Sequence, residues 1–164
     1  MNKNPDSVYK IRFSDCDLFG HLNNARYVDY FMNAREDHLK DYYNLKLTEY
    51  YHKGISWVVS SHEIAYLRSA VYDEMVNIQS CLLLAENDSL HVELVMTDEA
   101  KTHIKSVMRT KFTPINPKTG RKETHTAEFM EWAKSIENNA AGNQKNLAER
   151  IKELRYLQKE KETV

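Results

Sequence analysis

Residues 23–43, NNARYVDYFMNAREDHLKDYY, place Tyr27, Val28, Phe31, Ala34, Leu39 and Tyr42 at intervals of mostly three to five. That spacing predicts an amphipathic helix, because residues three and four apart share a helix face. About 20 residues make a helix of about 30 Å, long enough to run the length of a small domain. Asn23 or Asn24 supplies the N-cap. A lone helix with one apolar stripe needs a second layer to cover it.

On the N-terminal side, residues 8–14 (VYKIRFS) alternate, Tyr9, Ile11 and Phe13 against Lys10 and Arg12, which predicts a half-buried strand. On the other side a polar linker containing Gly54 leads into strand-like sequence over 56–67, 75–84, 90–96 and 103–112. Val76, Ile78, Leu82 and Leu84 share one face, as do Leu90, Val92, Leu94 and Met96. In the last segment Ile104, Met108 and Phe112 oppose Lys105, Arg109 and Lys111. Turns at Glu86-Asn87-Asp88-Ser89 and at Asp98 to Lys101 suit hairpins, so four consecutive strands are expected as an antiparallel meander. Asn116-Pro117-Lys118-Thr119-Gly120 closes the sheet region. A tail follows, with Phe129, Trp132, Ala133 and Ile136 in helical spacing, a break at 138–144, and a stripe of Leu147, Ile151, Leu154 and Leu157. The predicted class is α+β: a curved antiparallel sheet of about five strands wrapped around one long helix, with residues 1–125 as the domain and 126–164 as a C-terminal helical extension.

Composition narrows the function. The 164 residues carry 23 basic and 24 acidic side chains, a formal charge of −1, which argues against a surface built to coat nucleic acid. Four glycines and three prolines fit few, long elements rather than a sandwich of many short strands. No apolar stretch reaches the length of a membrane span, and the first fifteen residues lack the apolar core of a signal peptide. Two cysteines, Cys16 and Cys81, are too few for a disulfide scaffold, so a cytoplasmic protein with reduced thiols is expected. The histidines at 38, 52, 62, 91, 103 and 125 have no metal-ligand spacing; no metal and no cofactor are expected.

The densest chemistry lies between the first strand and the helix, in Asp15-Cys16-Asp17-Leu18-Phe19-Gly20-His21-Leu22-Asn23-Asn24. A helix start presents unpaired N–H groups and partial positive charge to a polarised carbonyl or an anion. This segment resembles the signature of the hotdog-fold thioesterases, in particular the 4-hydroxybenzoyl-CoA thioesterase-like class. Their pattern, roughly D-x-D-x-x-G-H-x-N-N-x-x-Y with a later aromatic step and A-R, is filled by Asp15, Asp17, Gly20, His21, Asn23, Asn24, Tyr27, Tyr30-Phe31 and Ala34-Arg35. Ile64 to Ala70 with Asp73 and Val76, and Thr119 to Lys122, are similar to the second strand and the closing turn of that family. The resemblance spans about residues 7 to 125 and implies an acyl-CoA hydrolase.

Carried onto this chain, the resemblance implies that Asp17 is the catalytic carboxylate, either attacking the thioester carbonyl or acting as general base on water. The backbone N–H of Asn24 is the expected oxyanion donor. His21, four residues after Asp17, is placed to orient water or substrate. Plant acyl-carrier-protein thioesterases, which look related, follow D-x-N-x-H; Phe19 stands here in place of their Asn, leaving more of the work on Asp17. Asp15 and Asn23 read as local framing. Cys16, between two acids, is disfavoured as a thiolate. Gly20 is expected to shape the substrate loop, and Tyr27 to form core or acyl-pocket wall. Arg68, Arg109 and Lys111 are candidates for the nucleotide end of CoA, together with Lys105, Arg121 and Lys122, although a solvated strand face explains such residues equally well. The resembled family places its sites between subunits, so a homodimer or homotetramer is expected. A carrier-protein thioesterase and a non-catalytic acyl-thioester-binding module are the alternatives.

Overall fold

The computed structural model describes residues 1–141 and 145–162. Its elements are β1 (Asp6–Lys10), α1 (Asn24–Tyr43), α2 (Leu47–His52), β2 (Ser56–Tyr66), β3 (Met75–Glu86), β4 (Ser89–Asp98), β5 (Ile104–Ile115), α3 (Ala127–Ile136) and α4 (Leu147–Glu162). Asn23 caps α1, its side chain accepting from the Ala25 N–H. Asn44, at φ 52°, closes the helix in the left-handed conformation that Asn tolerates, and Leu45 N–H returns to the Leu39 carbonyl. The expected architecture is present: a five-stranded antiparallel sheet packed against one long helix, with further helices C-terminal to it.

Three details depart from the expectation. The first strand stops at Lys10, and Phe13–Asp15 form a 3-10 turn that begins the functional loop. The linker before Gly54 contains the short helix α2. The four strands do not form one meander, because the sheet order is β1-β3-β4-β5-β2. The hairpin Glu86↔Ser89 gives one edge of β3 to β4, and β1 occupies the other through Asp6↔Gln79 to Lys10↔Met75. No edge of β3 remains for β2, which crosses over and pairs with β5 instead. Of the break placed at 138–144, residues 139–141 form a 3-10 turn and 142–144 lie outside the described residues.

The inner face of the sheet holds the main core. Ile78, Leu82, Val92, Leu94, Met96 and Met108 pack with Tyr27, Phe31 and Ala34 of α1, and α3 adds Phe129, Ala133 and Ile136 to the same cluster. Fully burying a side chain such as Phe31 stabilises by about 1.5–3 kcal/mol. On the outer face α4 packs its Leu147, Ile151 and Leu154 over Val95, Ile104 and Val107.

That cover changes the meaning of the basic strand face on β5. Lys105 is buried, paired with Glu74 at 3.0 Å and donating to the Ser69 carbonyl. Arg109 lies against Glu93, which is 2% exposed and is also held by Arg150 of α4 at 3.0 Å. Lys111 alone of the three is exposed. The face expected to be open to nucleotide or solvent is therefore largely the seat of α4.

A polar chain crosses the inner face. Arg35 donates to the Ser80 hydroxyl at 2.8 Å, and that oxygen lies 2.7 Å from His38 Nδ1. His38 Nε2 is 2.8 Å from the Ser7 hydroxyl, which donates to Tyr9, whose hydroxyl in turn donates to Asp37. Ser7 spends its single proton on Tyr9 and so accepts from Nε2–H; neutral His38 is the Nε2–H tautomer, and its Nδ1 accepts from the Ser80 hydroxyl. Burial and the neighbouring Arg35 charge hold His38 down to about 4. The chain binds the short β1 to both α1 and β3.

Candidate functional site

The loop between β1 and α1 is held by its own backbone and by the segment after β2. Asp17 N–H donates to the His21 carbonyl at 2.8 Å and Gly20 N–H to the Asp17 carbonyl at 3.0 Å. Gly20 sits at φ 72°, where a side chain would be strained, and its carbonyl accepts from Tyr72 N–H. Leu22 N–H donates to the Ala70 carbonyl, and His21 bridges Val71. Asp15 frames the loop as expected: its carboxylate accepts from the Tyr30 hydroxyl and its carbonyl from Asn23 N–H. Burial and the Asp15 hydrogen bond push Tyr30 up to about 12, so it serves as a fixed donor.

One oxygen of Asp17 accepts the N–H groups of Phe19 at 2.9 Å and His21 at 3.1 Å. Those bonds aim the carboxylate, and its second oxygen has no protein partner among the described residues. The first turn of α1 is used just as unevenly. Ala25 N–H is taken by the Asn23 side chain and Arg26 N–H by the Asn23 carbonyl, whereas Asn24 N–H has no partner among the described residues. An unpaired N–H at a helix start is a donor ready for developing negative charge. The segment thus presents a free carboxylate oxygen and a free N–H within one short loop. Among the described residues no group of His, Cys, Asp and Glu is arranged to hold a metal ion.

The remaining predicted residues divide. The His21 ring makes no hydrogen bond to Asp17; it lies 6.4 Å from the Phe19 ring and is exposed. Tyr27 is 2% exposed, and its hydroxyl accepts from Ala70 N–H, so it ties α1 to the segment behind the loop. Arg68 is exposed two residues before Ala70, close to the loop. Arg109 and Lys111 belong to the outer face and do not join it. Burial, followed by the charges of Asp15 and Asp17, raises the Cys16 thiol, in line with its disfavoured thiolate.

Tyr66 escaped the sequence reading. At the end of β2, its hydroxyl donates to the Asn24 carbonyl at 2.9 Å and its ring meets Tyr27 edge-on at 5.1 Å. Only the β2–β5 pairing brings it to the helix start, and no local pattern signals that. Around the loop Phe13, Leu18, Phe19, Val71 and Tyr72 are exposed, Leu18 completely. No helix of the described residues is long and apolar enough to cross a membrane.

Comparison with known proteins yields a family match over residues 11–134, to the thioesterase-like superfamily. No curated protein sequence matches the chain. Among solved structures, the DHNA-CoA thioesterase of Staphylococcus aureus superposes with a TM-score of 0.73 at 17% identity, covering 80% of this chain and 87% of that one. YbaW, a probable thioesterase of Escherichia coli, gives 0.69 at 26% identity over 81% and 98%. Slr0204, a 1,4-dihydroxy-2-naphthoyl-CoA thioesterase of Synechocystis, gives 0.71 at 11% identity over 79% and 95%.

Proposed function

We propose, from the premise that this chain belongs to the thioesterase-like superfamily, that it hydrolyses an acyl-CoA thioester to the free acid and CoA. The observation that carries this reading is that one short loop holds both an Asp17 oxygen and an Asn24 N–H that have no partner among the described residues. With the thioester carbonyl oxygen at Asn24 N–H, the helix start stabilises the oxyanion that forms as a nucleophile adds to the carbonyl carbon. Asp17 takes the proton of the attacking water as general base; collapse of the tetrahedral intermediate releases the acid and the CoA thiolate.

Asp17 is exposed, and so are the apolar side chains that flank it. A second copy of the chain covers this rim in the proposed assembly. β2 is an edge strand with exposed Val58 and Val59, the kind of edge that pairing removes. Arg68, beside the loop, is the retained candidate for a CoA phosphate. The two free thiols suit a reducing cytoplasm.

Asp17→Asn is the decisive variant, because the amide oxygen can keep the bonds from Phe19 and His21 while losing basicity. Hydrolysis of a panel of short, medium, long and aromatic acyl-CoAs falls by about 10²–10⁴-fold, with the oligomer and melting temperature unchanged. Retained turnover in that variant overturns the reading. Running the preferred acyl group on acyl-carrier protein as well as on CoA assigns the carrier.

A further inference from the structure

The Ala34-Arg35 step of the family-like pattern has no part in the chemistry at Asp17. Arg35 instead borders an open-mouthed cavity of about 220 Å³ lined by α1, α2, α3 and the sheet. The walls include Leu39, Leu82, Val92, Phe129, Trp57 and Trp132. Arg35 is 6% exposed, and its partners are the hydroxyls of Ser80 and Tyr43. No carboxylate among the described residues pairs with it. Glu36 also borders the cavity but is exposed and makes no ion pair with Arg35. His38, on the far side of Ser80, is neutral and contributes no counter-charge. A buried cation without an opposite charge is costly, and an anion entering the cavity removes that cost. Two hydroxyls leave several of the five guanidinium N–H donors for such a ligand.

We infer that this cavity binds a medium-length hydrocarbon ending in a carboxylate, its carboxylate on Arg35 and its chain along the apolar wall. An engineered apolar cavity of about 150 Å³ admits benzene, so this one admits a chain of about eight carbons. The carboxylate has two possible sources. One is a free carboxylic acid; the other is the distal carboxylate of a dicarboxylic acyl group still joined to its thioester. Asn24 and Arg35 stand about 16 Å apart along α1 at the helical rise, within reach of a chain of about twelve carbons. The second source rests on the proposed hydrolase reading, and the first does not.

The chain has two tryptophans, Trp57 and Trp132, and both border the cavity, so intrinsic fluorescence reports its occupancy. Wild-type protein is titrated with octanoate, 1-octanol and octylamine. Octanoate gives a saturable change with an affinity at least ten-fold above that of octanol, and octylamine gives none. In Arg35→Met, with its fold checked by circular dichroism, the preference for acid over alcohol falls to within two-fold. Equal wild-type affinities for acid and alcohol, no fluorescence change with any ligand, or a preference that survives Arg35→Met each overturns the site. Should Arg35→Met not fold, the wild-type acid-to-alcohol ratio decides alone. Hydrolysis of the mono-CoA thioester of dodecanedioic acid is then compared with that of dodecanoyl-CoA. A lower KM for the diacid derivative, lost in Arg35→Met, assigns the carboxylate to the acyl group. Equal KM values with octanoate binding intact assign it to a free acid. Absence of all hydrolysis counts against the reading of Asp17 and leaves the fluorescence result standing.

Discussion

On the outer face of the sheet half-buried Arg109 and buried Arg150 meet the buried Glu93, whereas on the inner face Arg35 is buried against two hydroxyls near a neutral imidazole. Glu93 faces helix α4 and is met from two sides by positive charge, a closed arrangement that joins α4 to the sheet. Arg35 faces a cavity and, among the described residues, is bonded to hydroxyls and paired with no carboxylate, an arrangement open to an incoming anion. Burial alone therefore does not tell a structural arginine from a ligand-binding one; the presence or absence of a carboxylate does.

The strongest test of that contrast removes the outer anion. Glu93→Gln leaves buried Arg150 and half-buried Arg109 without it and lowers stability by about 3–5 kcal/mol in urea denaturation. Arg35→Met, measured alongside, leaves stability unchanged or raises it, since it deletes a buried charge rather than exposing one. Equal losses in both variants would break the distinction.

A smaller effect is expected from acid. His38 stays neutral in the folded protein down to about 4, against an ordinary value of 6.5 once unfolded. As pH falls between those values the unfolded chain takes up the proton first, so stability is lost on acidification and is fully regained above pH 6.5. The loss reaches on the order of 2–3 kcal/mol near pH 4. His38→Gln, which takes up no proton, is expected to show a flatter melting temperature between pH 7 and pH 4.5. An identical slope in both proteins would place the acid sensitivity elsewhere.

These two faces were unequally legible from the amino-acid order. Tyr27, Phe31 and Ala34 announced the inner face of α1, and the alternation of Leu90, Val92, Leu94 and Met96 announced the strand beneath it, because both signals are local and periodic. Arg109 and Lys105 were also seen to share a strand face. That α4 covers this face depends on a contact between residues far apart in the chain, as with Glu93 and Arg150, and a polar strand face carries no mark of a later helix. The position of β2 was hidden for a related reason: β1 had claimed the edge of β3 that a simple meander would have used. In the candidate site, Asp17, Gly20, Asn23 and Asn24 were readable as one cluster. Tyr66 was not, since only sheet pairing delivers it to Asn24.

The donor that the proposed chemistry needs at the start of α1 belongs to the main chain. No exchange of the Asn24 side chain deletes it, so residue identity at position 24 is a poor guide to whether the chemistry survives, and alanine scanning would pass over it. Proline is the exception. The first helical position welcomes proline, and Asn23 already has the extended backbone, φ −61° and ψ 134°, that a following proline requires. Asn24→Pro is thus an atom-scale deletion of one N–H: the helix stays, and turnover falls by about 10²–10³-fold if that group carries the oxyanion.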